Sequence, residues 1–204
     1  MEYAALIAYT LTTFATPGPN NSMLMSSGLN YGVRRSLPHF FGIALGFPAM
    51  ALAVGFGFAE LFERLPFLHA LLKVAGVSYL AYLAYRIATT PVSSSGAATG
   101  RPLSFLQSCA FQWVNPKAWV MAVGAIVTFT VGGGNYLLQV LTICAVFIVF
   151  GAPCNFAWLW LGRSLKQWVQ NPQRLRQFNR AMGALLLLSL TPVLFELATT
   201  LGRH

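Results

Sequence analysis

A chain of 204 residues that is 56% hydrophobic and only 8% charged, with a mean hydropathy of +0.63, lacks the surface of a water-soluble domain, in which about a quarter of residues are charged. A net charge of +9 would raise nucleic acid as a partner of a soluble chain, but here the basic residues lie in short segments between apolar runs, which reads as membrane topology. The three cysteines, Cys109, Cys144 and Cys154, form no CxxC pattern and fall inside apolar runs, as small buried residues do.

In chain order, Asp, Glu, Lys and Arg are absent from Tyr3 to Val33, from Ser36 to Ala59 and from Ala118 to Gly162. A spanning helix needs about 20 apolar residues, so the 45-residue run from Ala118 to Gly162 belongs to two helices, with Gly132-Gly133-Gly134-Asn135 as the turn. The sequence predicts an all-α polytopic membrane protein with six transmembrane helices: Tyr3 to Tyr31, Leu37 to Glu60, Phe67 to Ala88, Leu103 to Val131, Tyr136 to Leu161 and Phe178 to Thr200. Met1-Glu2-Tyr3 is acidic and lacks the basic start of a signal peptide, so the first helix is expected to stay in the mature protein. The stretch from Thr90-Pro91 to Gly100 is the flexible, low-complexity part. It divides one integral membrane domain into a first three-helix repeat (1–90), a cytoplasmic linker (91–102) and a second three-helix repeat (103–204).

Nine basic residues (Arg34, Arg35, Arg86, Arg101, Arg163, Lys166, Arg174, Arg176 and Arg180) flank one side of these spans, against Arg64, Lys73 and Arg203 on the other. The positive-inside rule makes the richer side cytoplasmic and puts both termini outside. Helix-breaking residues recur between the halves at offsets of 97 to 107 residues: Pro17-Gly18-Pro19 with Asn115-Pro116, Gly46-Phe47-Pro48 with Gly151-Ala152-Pro153, and Gly76 with Gly183. Three helices is an odd number, so two such repeats enter the membrane from opposite sides, an inverted 3+3 repeat.

Proline inside a helix removes a donor and clashes with the preceding turn. Pro17, Gly18, Pro19 and Pro116 are therefore expected to break helices one and four near mid-membrane, where freed backbone groups need protein or a wet cavity to satisfy them. Paired broken helices in matching positions of two halves point to a central binding site. Asn20, Asn21, Gln112, Asn115 and Lys117 surround the breaks and are the expected ligand contacts, with Thr16, Tyr79 and Asn155 as secondary candidates. Lys117 lies about 21 Å along the helix from Leu103 at 1.5 Å per residue, too deep for its stem to reach water, and no acidic residue lies at that depth. Either a carboxylate ligand or the carbonyls opened at a break must meet its ammonium. His39, beside Pro38, reads as an interfacial histidine rather than a proton carrier, and Trp158, Trp160 and Trp168 as an aromatic belt.

The run Thr16-Pro17-Gly18-Pro19-Asn20-Asn21, then Gly32-x-Arg34-Arg35, Gly42 to Gly46, Gly76 to Ala84 and Phe111-Gln112-Trp113-Val114-Asn115-Pro116-Lys117, resembles the signature of the lysine-exporter (LysE/RhtB) family of amino-acid exporters. Ala88-Thr89-Thr90-Pro91 and Leu103-Ser104-Phe105 are most similar to its cysteine/O-acetylserine exporter branch. The resemblance implies a secondary transporter of the bacterial inner membrane, not an enzyme, that exports small amino acids or their derivatives on an ion gradient. The implied partners are the amino acid, a coupling ion such as the proton, and lipid; no cofactor, metal or nucleic acid is implied, and a homo-oligomer is left open. Many members carry aspartate directly after Pro-Gly-Pro where this chain has Asn20, so a proton-coupling role tied to that aspartate does not carry over. Two rival readings are a membrane thiol-disulfide oxidoreductase, which needs a cysteine pair shared by both halves, and a metal-ion exporter, which needs a His/Asp cluster. The first half has no cysteine and the chain has no aspartate.

Overall fold

The computed structural model describes residues 2–58, 66–91, 100–132, 134–169 and 171–191, and all regular structure among them is helical. Helix α1 (Tyr3–Ala15) stops before Pro17, and α2 (Pro19–Ala53) starts with proline at its first position and runs into a π-helical turn at Val54–Phe58. Next come α3 (Pro66–Ala88), α4 (Phe105–Val114) and α5 (Pro116–Phe129). Helix α6 (Tyr136–Val146) passes through a π-helical segment, Phe147–Gly151, into α7 (Ala152–Leu165), and α8 (Pro172–Leu188) follows. The starts are capped by short polar side chains that satisfy free backbone donors: Ser104 with Gln107 forms a capping box on α4, and Asn115, Asn135 and Asn171 cap α5, α6 and α8.

The expected first and fourth spans are each two helices, α1 with the start of α2 and α4 with α5, separated at Thr16–Gly18 and at Asn115. The expected loop between the first and second spans shrinks to a hairpin at Gly32, whose φ of 77° suits glycine. Two residues twelve apart in a straight helix would be about 18 Å from each other, yet Ser27 Oγ lies 2.9 Å from His39 Nδ1, and the Ser36 hydroxyl donates to the Ser27 carbonyl at 3.2 Å. The two arms of α2 therefore run side by side. Helix α8 begins at Pro172 rather than at the expected Phe178, because Asn171 and Pro172 supply a cap and a first-turn proline. The expected ends at Glu60 and Thr200, and most of the 91–102 linker, lie outside the described residues.

Small residues let these helices approach to backbone contact, as membrane helices do. A Cβ on Gly28 would press on the Leu159 carbonyl, and one on Gly162 on the Met25 carbonyl, so the first arm of α2 and α7 cross with nothing between them. Gly42 and Gly46 on the second arm meet Phe105 and Cys109 of α4 in the same way. Phe14, Phe47 and Phe147 lock α1, α2 and the π-helical segment together, with ring centroids 5.0 to 5.7 Å apart. Facing outward are large apolar side chains such as Val120 (72% exposed) and Val127 (74%), a surface suited to lipid. Among the described residues two helical stretches, Pro19–Gly57 and Tyr136–Leu165, are long and apolar enough to cross a membrane, with mean hydropathy 1.9 and 2.3. The first of them contains the Gly32 hairpin.

Gly28→Ala is expected to cost about 1–3 kcal/mol, the usual range for overpacking, and to lower the melting temperature of the detergent-purified protein. Gly132→Ala, at a position with nothing within 4 Å, should leave that temperature unchanged.

Candidate functional site

The two breaks meet. A Cβ on Gly18 would lie 2.8 Å from Lys117 Cδ, so the chain between α1 and α2 rests directly on the first turn of α5. Breaking α1 frees its last carbonyls, and two side chains satisfy them: Asn21 Nδ2 donates to the carbonyls of Phe14 (2.8 Å) and Thr16 (2.9 Å), and Lys117 Nζ donates to that of Thr16 (2.7 Å). On the other break Asn115, buried, caps α5 by accepting from the Lys117 amide at 3.2 Å. Pro116 fills the following position, where no donor is needed.

Asn20 and buried Gln112 join the two breaks by a reciprocal amide pair, Asn20 Nδ2 to Gln112 Oε1 at 2.9 Å and Gln112 Nε2 to Asn20 Oδ1 at 3.1 Å. Gln112 Nε2 also reaches the Ser108 carbonyl at 3.0 Å. A second reciprocal pair, Asn30 with Asn179 at 2.8 and 3.2 Å, fixes the far end of the same α2 arm to α8.

Beside the junction is a cavity of about 20 Å³ lined by Gly18, Asn20, Asn21, Asn115, Lys117 and Asn155, together with Thr13, Phe14, Phe47, Ala118 and Met121. A water occupies roughly 10–15 Å³ on this measure, so the space fits one water and is closed to anything larger. Two hydrogen-bond donors remain available there. Lys117 has three ammonium hydrogens and, among the described residues, a single partner, the Thr16 carbonyl. Asn155, on α7, is buried with its Nδ2 unpartnered among the described residues, and leaving such a group without an acceptor costs about 1–3 kcal/mol.

Of the residues expected from the sequence, the structure gathers Asn20, Asn21, Asn115, Lys117, Gly18 and Asn155 around this cavity, with Gln112 one hydrogen bond behind. Thr16 contributes its carbonyl, and Pro17, Pro19 and Pro116 shape the breaks. Tyr79 does not join them: it packs 6.2 Å from the rings of Tyr82 and Phe111. Sequence reasoning missed Phe14, Phe47 and Met121, apolar residues whose only signal was their nearness to Pro17, Pro48 and Lys117. His39, expected at the interface, is 1% exposed and faces Ser27, because the Gly32 hairpin folds it inward.

Nothing in the arrangement of the cysteines resembles a redox pair. The three thiols are free, and their Sγ atoms point to three different carbonyls, those of Gly42, Pro48 and Phe150. Among the described residues no three His, Cys, Asp or Glu side chains group as metal ligands.

Among the described residues, helices alone, an apolar outer face and a polar junction between two broken helices define a helical membrane protein. The chain belongs to the LysE family: the model of the LysE type translocator matches residues 11–195. It is 35% identical to the cysteine/O-acetylserine efflux protein of Escherichia coli O1:K1 / APEC and 34% identical to those of Escherichia coli (strain K12) and Shigella flexneri serotype 5b (strain 8401), in each case over 92% of both chains. No solved structure matches the chain.

The Asn20–Gln112 pair yields a coupling test. Asn20→Ala strands a buried amide and is expected to cost about 1–3 kcal/mol. Adding Gln112→Ala should cost less than the sum of the two single changes, as for residues in direct contact, when resistance to detergent denaturation is measured for the cycle.

Proposed function

We propose that this protein is a secondary transporter, not an enzyme, which exports small amino acids of the cysteine and O-acetylserine class from the cytoplasm across the bacterial inner membrane. The observation that carries this reading is the meeting of two broken helices at a cavity where the Lys117 ammonium and Asn155 Nδ2 still have hydrogens to give. A carboxylate suits that place: it takes both donors, and the N-terminus of α5 adds its positive dipole end. The ester carbonyl of an O-acetyl group is a second acceptor of the right chemistry for Asn155. Family membership and the names of the relatives support the same class of cargo.

In this reading six spans form two three-helix halves of opposite orientation, 1–90 and 103–204, joined by a cytoplasmic linker at 91–102, with both termini outside. The packing supports it, since matched glycines make reciprocal contacts: Gly46 of the first half meets Cys109 of α4, and Gly151 of the second meets the Phe14 ring of α1. Both helices that receive these contacts are the broken ones. The cavity must enlarge to take an amino acid, and rocking of one half against the other does so while exposing the site to each side in turn. A proton gradient is the proposed drive, as one charge crossing 100 mV is worth about 2.3 kcal/mol.

Lys117→Met tests the reading. Export of radiolabelled O-acetyl-L-serine from expressing cells is expected to fall by at least about tenfold, or roughly 1.4 kcal/mol in barrier, with the protein still in the membrane. Asn155→Ala, which leaves the Thr16 contact intact, should also lower export. Undiminished export by both variants would overturn the assignment of this site.

A further inference from the structure

A second cavity, of about 90 Å³, lies further along the same α2 arm. It is lined by Ser26, Ser27 and Tyr31 of that arm, His39 of the other arm, Arg86 at the end of α3, and Arg101 ahead of α4. Ser27 follows Asn20 by seven residues, about 10 Å at 1.5 Å per residue. Along the chain Gln112 lies between Gln107, which lines the second cavity, and Asn115, which lines the first, and its partner Asn20 lines the first cavity itself. At roughly 10–15 Å³ per water, the second holds several waters or a small solute.

Its inner end has a polar atom to spare. His39 is 1% exposed, its Nδ1 is 2.9 Å from Ser27 Oγ, and its Nε2 has no hydrogen-bond partner among the described residues. Its mouth has positive charge to spare. The only acidic residues of the chain are Glu2, Glu60, Glu63 and Glu196, and among the described residues neither Arg86 nor Arg101 is paired with a carboxylate. Arg86 lies over the Tyr82 ring at 5.9 Å. Arg35 braces the rim, 5.7 Å from the Tyr31 ring centroid and donating to the Gly100 carbonyl at 2.9 Å.

We propose that this cavity is a second ligand site, which takes a zwitterionic amino acid before it reaches Lys117. Arg86 and Arg101 hold the carboxylate. His39, with its proton on Nδ1 and donated to Ser27 Oγ, offers Nε2 as the acceptor for the ligand ammonium. Loading in this order rests on the exporter reading, whereas binding at the second cavity does not.

Equilibrium binding of radiolabelled O-acetyl-L-serine to the full-length protein, in nanodiscs of phosphatidylcholine, separates the two claims. Lys117→Met is expected to retain one class of binding. Adding Arg86→Gln with Arg101→Gln, both at exposed positions, should weaken that class by at least about tenfold, and adding His39→Gln, which keeps a hydrogen bond to Ser27 within reach, should weaken it too. Cysteamine, which lacks the carboxylate, should not compete for it. A residual class indifferent to Arg86, Arg101 and His39, or the loss of all binding in Lys117→Met, would overturn the second site and leave the first standing. Arginine-dependent binding seen only for phosphatidylglycerol added to the discs would overturn it as well, by making the mouth a lipid contact.

Discussion

A backbone carbonyl left without a donor in hydrocarbon costs several kcal/mol, and the break after Ala15 opens such carbonyls at Phe14 and Thr16. The Asn21 amide and the Lys117 ammonium meet that need. Each half of the junction is thus completed by the other, because Lys117 comes from α5 and the carbonyl it satisfies belongs to the end of α1. The lysine is held in place by the same defect that opens the site. A conventional helix in either position would remove the requirement for the partner and close the space between them.

From that junction the rest of the arrangement follows. Asn20 and Gln112 fasten the breaks side by side, and Asn30 with Asn179 fastens the other end of the same arm. Glycine contacts let α7 press on this arm and α4 on its neighbour. In each reciprocal pair both amide nitrogens donate and both amide oxygens accept, so neither buried amide is left without a partner.

Much of this was legible in the sequence because proline and glycine act locally. Pro17, Pro19 and Pro116 fix their own φ and lack a donor, so the breaks they cause need no tertiary information. Lys117 stands out in the sequence as a basic residue inside a long apolar run. Its partner does not: a ligand carboxylate and a freed carbonyl satisfy an ammonium equally in a sequence, and the fold shows the Thr16 carbonyl with two ammonium hydrogens to spare. His39 was misplaced because one residue, Gly32, replaces an expected loop and turns the second arm back on the first. Tyr79 was drawn in by its chemistry, although its helix face is turned to Tyr82 and Phe111. The second cavity had no sequence signal, since it is assembled from four segments whose residues are individually ordinary.

We place the cargo at the junction of the two breaks. An experimental structure of the protein with O-acetyl-L-serine bound tests that placement most directly. Ligand oxygens are expected within hydrogen-bond distance of Lys117 Nζ and Asn155 Nδ2, in a cavity enlarged by separation of the helices. A bound ligand that touches neither group, with the junction still closed around the Thr16 carbonyl, would contradict it.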